Sequence, residues 1–516
     1  MEAERHGWVW TLRLERPSLR DNTADADRLL LKLKKLLRVE SIGVDLALLR
    51  ELPAILRRWD YHVRCVVFKD GGQWRLVGVL GGNEETVPLG LAVDLGTTRV
   101  VVRLVELEKG EAVEETSFDN PQIAIGPDVL ARIHFAGQSA ENRRQLRELI
   151  IDGLNRGIQR LCPAGRASSD NIFLVAVAGN TVMTHLFLEL DTHWLIREPY
   201  IPVVNAPADI TASQLGLWTN PRARMLIFPN VGSYFGGDLI SGILFAGLHE
   251  NDETAILVDV GTNAEVVLGN RHWLMACAGA AGPALEGGVT RMGMMAGPGV
   301  IDQVTIDRRT RELHVHTIGE QPPRGICGSG LIDLAAQLFL SGIIDIRGKF
   351  QPEQAPGRIV EKDGLRHLIV VPAGSSATGE PLTISQADLD SLVRSKAAMY
   401  TILETITTAV GVTFRELARF YVAGTFGAYI RPSSAIAIGM LPDLPPETYQ
   451  TLGNSSLAGA AMVLARPDRV DEISRIRDRI TYLELNVNQD LMNRFSAAKF
   501  FPHTDAQRFP TVRVWE

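Results

Sequence analysis

The stretch AILVDVGTNAE, residues 255–265, sets the reading of the whole chain. Four apolar residues lead into Asp259; Gly261, Thr262 and Asn263 follow, and the chain resumes as AEVVL. That order predicts a buried strand, a tight turn and a return strand. Glycine lets a backbone approach a phosphate closely, Thr and Asn add hydrogen-bond donors, and successive turn amides make an anion-binding nest. A carboxylate at the strand end is suited to a magnesium ion or its waters. One Asp-x-Gly-Thr alone is also an ordinary hairpin turn. The same layout recurs, however, as LAVDLGTTR at residues 91–99, so two such loops are available to grip one nucleotide.

The remaining composition limits the alternatives. A chain of 516 residues exceeds one hydrophobic core and is expected to hold two to four domains. A net charge of −7 argues against a general binder of nucleic acid or anionic membrane. The N-terminal MEAERHGWVW carries charges of both signs and no apolar core, unlike a signal peptide. The most apolar window, Leu226 to Leu248, contains Pro229, five glycines and Asp238, which argues against a membrane span. The four cysteines, Cys65, Cys162, Cys277 and Cys327, are far apart in sequence. They offer no CxxC pair or ferredoxin-like spacing, so no iron–sulfur cluster is expected in this chain, and a reducing, cytoplasmic setting is.

Residues 1–87 read as a small separate α/β unit for docking or spacing. WVWTLRLERP predicts a strand ended by Pro17, and Thr23 is a candidate cap for a helix through Leu29, Leu33 and Leu37. A second helix is expected over Asp45 to Trp59, with Pro53 shifting its first turn toward Leu52. HVRCVVF and WRLVGVL, joined by KDGGQ, read as a hairpin, and NEETVP as a boundary.

Residues 88–250 form the first large half and 251–516 the second, with an extra segment at about 280–380. The first half predicts three strands from Leu89, an amphipathic helix over Glu141–Leu161, a buried strand NIFLVAVA, a strand MLIFPN, and a helix Gly237–Leu248 with Ala and Gly on one side. The second repeats the plan with AILVDVGTN, AEVVLGN and RHWLMACA, a helix from Gln386 capped by Ser385 and Asp388, the strand and glycine turn ARFYVAGTFG, and a second small-residue helix, GNSSLAGAAMVLA. Small residues on those helices let a neighbouring backbone come close.

The order of these pieces resembles the five-motif ATPase fold of actin, sugar kinases and heat-shock chaperones. The implied architecture is α/β, with duplicated actin-like (ribonuclease H-like) lobes and a small N-terminal domain. More closely, NPQIAIGPDVLARI (120–133), VAGNTVMTHLFL (177–188), VDVGTNAEVVLGN (258–270), GPALEGG (282–288) and RGICGSGLID (324–333) resemble the ATP-dependent reductive activators of corrinoid proteins. The likeness runs from about Val39 to Pro502. It implies ATP and Mg²⁺ held between two lobes that close, and reduction of a Co(II) corrinoid protein to Co(I) in a methyltransferase system. It also implies a homodimer. Such activators usually carry their own ferredoxin module; this chain begins where an N-terminal one would have ended, so a separate ferredoxin-like electron donor is expected. Arg99 stands where a third Thr is usual, and Ala264 where Gly is usual.

Within that frame Asp94 and Asp259 are the candidates for the magnesium–phosphate group, largely through water. Gly96, Thr97, Thr98, Gly261, Thr262 and Asn263 are candidate donors to phosphate oxygens, and Arg99 adds positive charge at the first loop. Asp238 is a candidate for orienting the attacking water or the magnesium shell, against the plain role of capping its own helix. Glu265 is a candidate to polarise water, against an ordinary cross-strand ion pair. Gly424, Thr425 and Phe426 are expected near adenosine, and Lys396 is placed either there or in solvent. Cys327 reads mainly as a small buried residue, and His185 as a satisfied, partly buried histidine. The alternatives to an activator are a small-molecule kinase of the same fold and a nucleotide-binding protein without turnover.

Overall fold

The computed structural model describes residues 3–162, 168–261, 263–280, 290–362, 364–424, 430–485 and 489–515. The chain forms two compact units, Met1–Phe245 with Ser455–Arg479, and Ala246–Asn454 with Ile480–Glu516. Each contains a six-stranded mixed sheet, and the two sheets share one plan.

In the first unit the strands Ile210–Thr211, Arg224–Ile227, Ile172–Gly179, Leu89–Leu95, Arg99–Glu106 and Ala112–Asp119 lie side by side in that order. The Leu89–Leu95 strand runs parallel to Ile172–Gly179 and antiparallel to Arg99–Glu106. In the second unit the order is Tyr449–Gly453, Arg419–Ala423, Ala255–Val260, Asn263–Gly269, Leu274–Ala280 and Ile480–Tyr482. Its central Ala255–Val260 strand again has one parallel and one antiparallel neighbour. Both central strands are buried at every position but the aspartate, as befits strands covered on both faces. This is the duplicated actin-like arrangement expected from the paired motifs.

The helix Ala140–Leu161 starts at Ser139, whose hydroxyl accepts the Asn142 amide at 3.1 Å. Its apolar stripe, including Leu146, Ile150, Leu154 and Ile158, joins the first unit's core. The helix Gln386–Ala409 opens with the expected reciprocal box between Ser385 and Asp388. The extra segment adds the strands Val300–Ile306 and Leu313–Thr317, the helix Gly328–Leu340, and a small sheet built on Leu365–Val371.

Four expectations are corrected. Residues 455–479, placed with the second half by their position in the chain, pack in the first unit. The helix Ser455–Ala465 crosses the helix Gly237–Ala246 so closely that a side chain at Gly459 would lie 2.2 Å from the Ser241 carbonyl oxygen. Residues 1–87 have their own core around Leu29, Leu33, Leu52 and Val63 but are not a separate body. Trp8 Nε1 donates to Val463 O at 2.9 Å, and Arg224 pairs with Asp45 at 2.8 Å. Thr23 does not cap the first helix, which begins at Asp25; its hydroxyl and amide go to Asp21 instead. Finally, the helix Leu46–Arg58 runs through Pro53. Burying Leu48, Leu52 and Leu56 contributes about 2 kcal/mol each, which outweighs the roughly 3 kcal/mol cost of an interior proline. No helix among the described residues is long and apolar enough to cross a membrane.

Candidate functional site

Asp94 occupies the next-to-last position of its strand, where the chain leaves the core, and it is the strand's one incompletely buried residue. The Ser456 hydroxyl donates to Asp94 Oδ1 at 2.9 Å, and Ser241 Oγ holds the Ser456 carbonyl at 2.7 Å. The two small-residue helices are thus tied to the aspartate through one serine. The loop that follows is fixed by side chains. Asn180 Nδ2 donates to Thr97 Oγ1 at 3.0 Å, while Asn180 Oδ1 caps the short helix Thr181–Phe187. Asn120 and Arg132 hold the carbonyls of Gly96, Thr97 and Thr98.

Asp238 sits in the first turn of Gly237–Ala246 and accepts the Leu239 amide at 2.9 Å. A side chain at Gly236 would meet both Asp238 Oδ1 and the Asn180 α-carbon. The carboxylate is thus in the helix's first turn, where negative charge suits the helix dipole, and lies beside the Asn180 turn that anchors Thr97. Arg99 is exposed and donates twice to Ser117 Oγ, the shorter contact being 2.6 Å. Its guanidinium is thereby engaged on the neighbouring strand.

In the second unit Asp259 is likewise the partly buried residue of its strand. Its antiparallel register partner is Glu265 and its parallel one is Ala423. Directly opposed residues share a sheet face, so two carboxylates stand together here. The register position across from Glu265 on its other side is Ala278. Gly424 closes this end of the sheet: at φ +83°, an added β-carbon would be 2.7 Å from Asp259 Oδ1. Gly261 comes two residues after Asp259, just past the strand end at Val260, and Asn263 begins the return strand. Thr262, Thr425 and Phe426 lie outside the described residues.

Lys396 is reassigned. It is fully buried, and its ammonium donates to the carbonyls of Phe500 and Pro502, the latter at 2.8 Å. Burial holds its pKa well below the ordinary lysine range. It secures the C-terminal segment and is neither solvated nor free to reach a nucleoside. His185 is buried as expected, with Nδ1 at 2.7 Å from Thr181 O and Nε2 accepting the Val203 amide at 3.0 Å. Cys327 is buried at the start of Gly328–Leu340, near Ile301 O and Ser329 Oγ. Burial raises the thiol pKa of Cys65 and Cys277 far above the ordinary value, which leaves them unreactive.

Sequence reasoning missed Asn120, Arg132 and Ser456 as parts of this site. Asn120 and Arg132 stood inside a family-like string without an assigned role, and Ser456 began a helix read only for its small residues.

Comparison with known proteins identifies the family and the fold. The family described as "C-terminal domain of RACo the ASKHA domain" matches residues 253–513, "RACo middle region" residues 89–251, and "RACo linker region" residues 8–86. The chain is 30% identical to "Corrinoid activation enzyme RamQ" of Eubacterium limosum, over 89% of this chain and 80% of that one. It is 24% identical to "[Co(II) methylated amine-specific corrinoid protein] reductase" of Methanosarcina barkeri, over 76% and 73% respectively. The solved "Reductive activator for corrinoid,iron-sulfur protein" superposes with a TM-score of 0.89 at 37% identity, covering 99% of this chain and 81% of that one. The chain belongs to the RACo family, the reductive activators of corrinoid proteins.

Proposed function

We propose that this chain uses Mg-ATP to drive the one-electron reduction of a corrinoid protein from Co(II) to Co(I) in a methyltransferase system. The carrying observation is the pair of partly buried aspartates, Asp94 and Asp259, near the ends of the corresponding strands in two sheets that share a five-strand order, each with a glycine two residues on.

The residues present suit the magnesium–phosphate group. Asp259 and Glu265 are opposed across a strand pair, a placement of two carboxylates that suits a divalent cation. Magnesium supplies charge neutralisation for phosphate when bound, and Asp94 and Asp259 are its candidate carboxylates. The Thr97 and Thr98 amides, with Gly261, Thr262 and Asn263, are suited to phosphate oxygens. Asp238 and Glu265 are candidates to orient water for hydrolysis. Hydrolysis gives ADP and phosphate. Different affinities for ATP and ADP then bias how the corrinoid protein is held, and that bias makes the cobalt easier to reduce.

The electron comes from a separate ferredoxin-like protein, which loses one electron as cobalt gains one. The dispersed cysteines support that assignment: Cys65 is in the N-terminal sheet, Cys162 ends a helix, and Cys277 and Cys327 belong to the other unit. The reading is of a cytoplasmic homodimer, as the family resemblance implies, and the acidic balance argues against nucleic-acid or anionic-membrane partners.

The test is ATP hydrolysis by the purified chain with and without a Co(II) corrinoid protein, beside Asp259→Ala. Stimulation by the partner, lost in the variant, supports the reading. Hydrolysis that ignores every corrinoid protein but responds to a small acceptor would make it a kinase. Nucleotide retained without turnover, partners present, would make it a binding protein.

A further inference from the structure

The first phosphate loop is held from behind by a buried network that uses every one of its carbonyls. Asn120 Nδ2 donates to Gly96 O at 2.9 Å, Arg132 Nη2 to Thr97 O at 2.8 Å, and the Asn120 amide to Thr98 O at 2.8 Å. A trans peptide is planar, with its N–H opposite its C=O. Fixing these three carbonyls therefore turns the amides of Thr97, Thr98 and Arg99 to the other side. Neither the Thr97 nor the Thr98 amide has a protein acceptor among the described residues. That is the arrangement of an anion nest.

The brace is itself anchored. Arg132 is fully buried, with Nε on Gly126 O at 2.9 Å and Nη1 at 3.2 Å from both Gln122 Oε1 and Met183 Sδ. Gln122 in turn donates to Leu146 O at 2.8 Å, which ties the network to the long helix Ala140–Leu161. Asn120 Oδ1 accepts the Gln122 amide at 3.0 Å. Among the described residues no carboxylate forms an ion pair with Arg132; its partners are carbonyls, an amide oxygen and a thioether. The Asp128 carboxylate acts on it only from beyond ion-pair distance; a buried guanidinium without a contacting carboxylate is costly to keep, and its field reaches an anion on the far side of the Thr97 peptide. Burial draws its pKa down to about 10, so it remains charged at neutral pH.

We propose that Arg132, together with Asn120, is a positioning residue that holds Gly96–Thr98 with its amides presented to phosphate and gives that loop a buried positive charge for which the nucleotide is the counter-ion. This rests on the nucleotide reading of the site above.

The experiment is calorimetric titration of the full chain with Mg-ATP, and with adenosine as a ligand that has no phosphate. The variants are Arg132→Met, Arg132→Lys and Asn120→Asp, with melting curves to establish folding. Asn120→Asp keeps the acceptor for the Gln122 amide but removes the donor to Gly96 and adds negative charge. Losing a hydrogen bond to a charged group predicts that Arg132→Met weakens Mg-ATP by about tenfold or more, with adenosine affinity unchanged. Arg132→Lys is expected to recover part of the loss, and Asn120→Asp to weaken Mg-ATP selectively. If Arg132→Met does not fold, the other two variants decide. Folded variants that bind Mg-ATP as the parent does, or that lose ATP and adenosine in equal proportion, would overturn the proposal while leaving the nucleotide reading intact. If the unmodified chain binds no Mg-ATP, both fall.

Discussion

The Ser456 hydroxyl donates to Asp94 Oδ1 at 2.9 Å, joining residues 362 positions apart. The serine is buried, and its own carbonyl is held by Ser241, which fixes the backbone from which the hydroxyl reaches the carboxylate. Ser456→Ala should cost about 1 kcal/mol of stability, the net worth of one such bond. The larger effect is on orientation of the carboxylate. Turnover is expected to fall by about tenfold, equivalent to about 1.4 kcal/mol in the barrier. Steady-state hydrolysis and a denaturant melt on the same preparation check this; an unchanged turnover number would mean that Asp94 needs no such tether.

Asp259 and Gly424 give a second prediction. The glycine has φ +83° and no room for a β-carbon, because Asp259 Oδ1 would be only 2.7 Å away. Gly424→Ala should therefore either displace the carboxylate or strain the turn, at a cost of about 1–3 kcal/mol. The expected outcome is a folded protein with severely reduced Mg-ATP hydrolysis. Parent-like hydrolysis would show that the turn relaxes without disturbing Asp259.

These pairs show how far the sequence could be read. An aspartate inside an otherwise apolar run is visible as an anomaly, and its repetition at 94 and 259 exposed the duplication. The Ser385–Asp388 box was legible because capping is a local rule. Ser456, Asn120 and Arg132 were not, since their roles depend on contacts between segments remote in sequence. The same limit explains Lys396: helical spacing cannot announce that carbonyls a hundred residues later will surround it. The position of residues 455–479 is a related case, because chain order does not reveal which sheet a returning helix will cover.

His185 predicts a pH effect with a definite sign. Burial lowers its pKa from the ordinary 6.5, and the neutral ring is satisfied on both sides, by Thr181 O and the Val203 amide. Protonation would set a second N–H against that amide. Because the folded pKa lies below the unfolded one, the contribution to stability is fully present above about pH 6.5 and is lost as pH falls toward the folded value. Comparing the parent with His185→Gln in urea at several pH values between 8 and 5 isolates it from His503, whose pKa is also lowered. The gap between the two proteins should shrink on acidification. A gap independent of pH would rule out His185 as the titrating group.

Lys396 separates a structural role from a nucleotide contact. Its stem is fully buried and its ammonium serves the Phe500 and Pro502 carbonyls. Lys396→Met keeps most of the volume but leaves those acceptors without their donor, which should cost about 2 kcal/mol. Removing a charge from the interior offsets part of that loss, so the deficit is expected to be larger at high pH. There the parent lysine, with its lowered pKa, no longer bears the cost of burial. Nucleotide affinity should stay at the parent value throughout. Chemical denaturation from pH 7 to pH 10, paired with adenosine and Mg-ATP titrations, tests both halves of the claim. Weaker adenosine binding with unchanged stability would return Lys396 to the nucleoside and refute its assignment to the C-terminal segment.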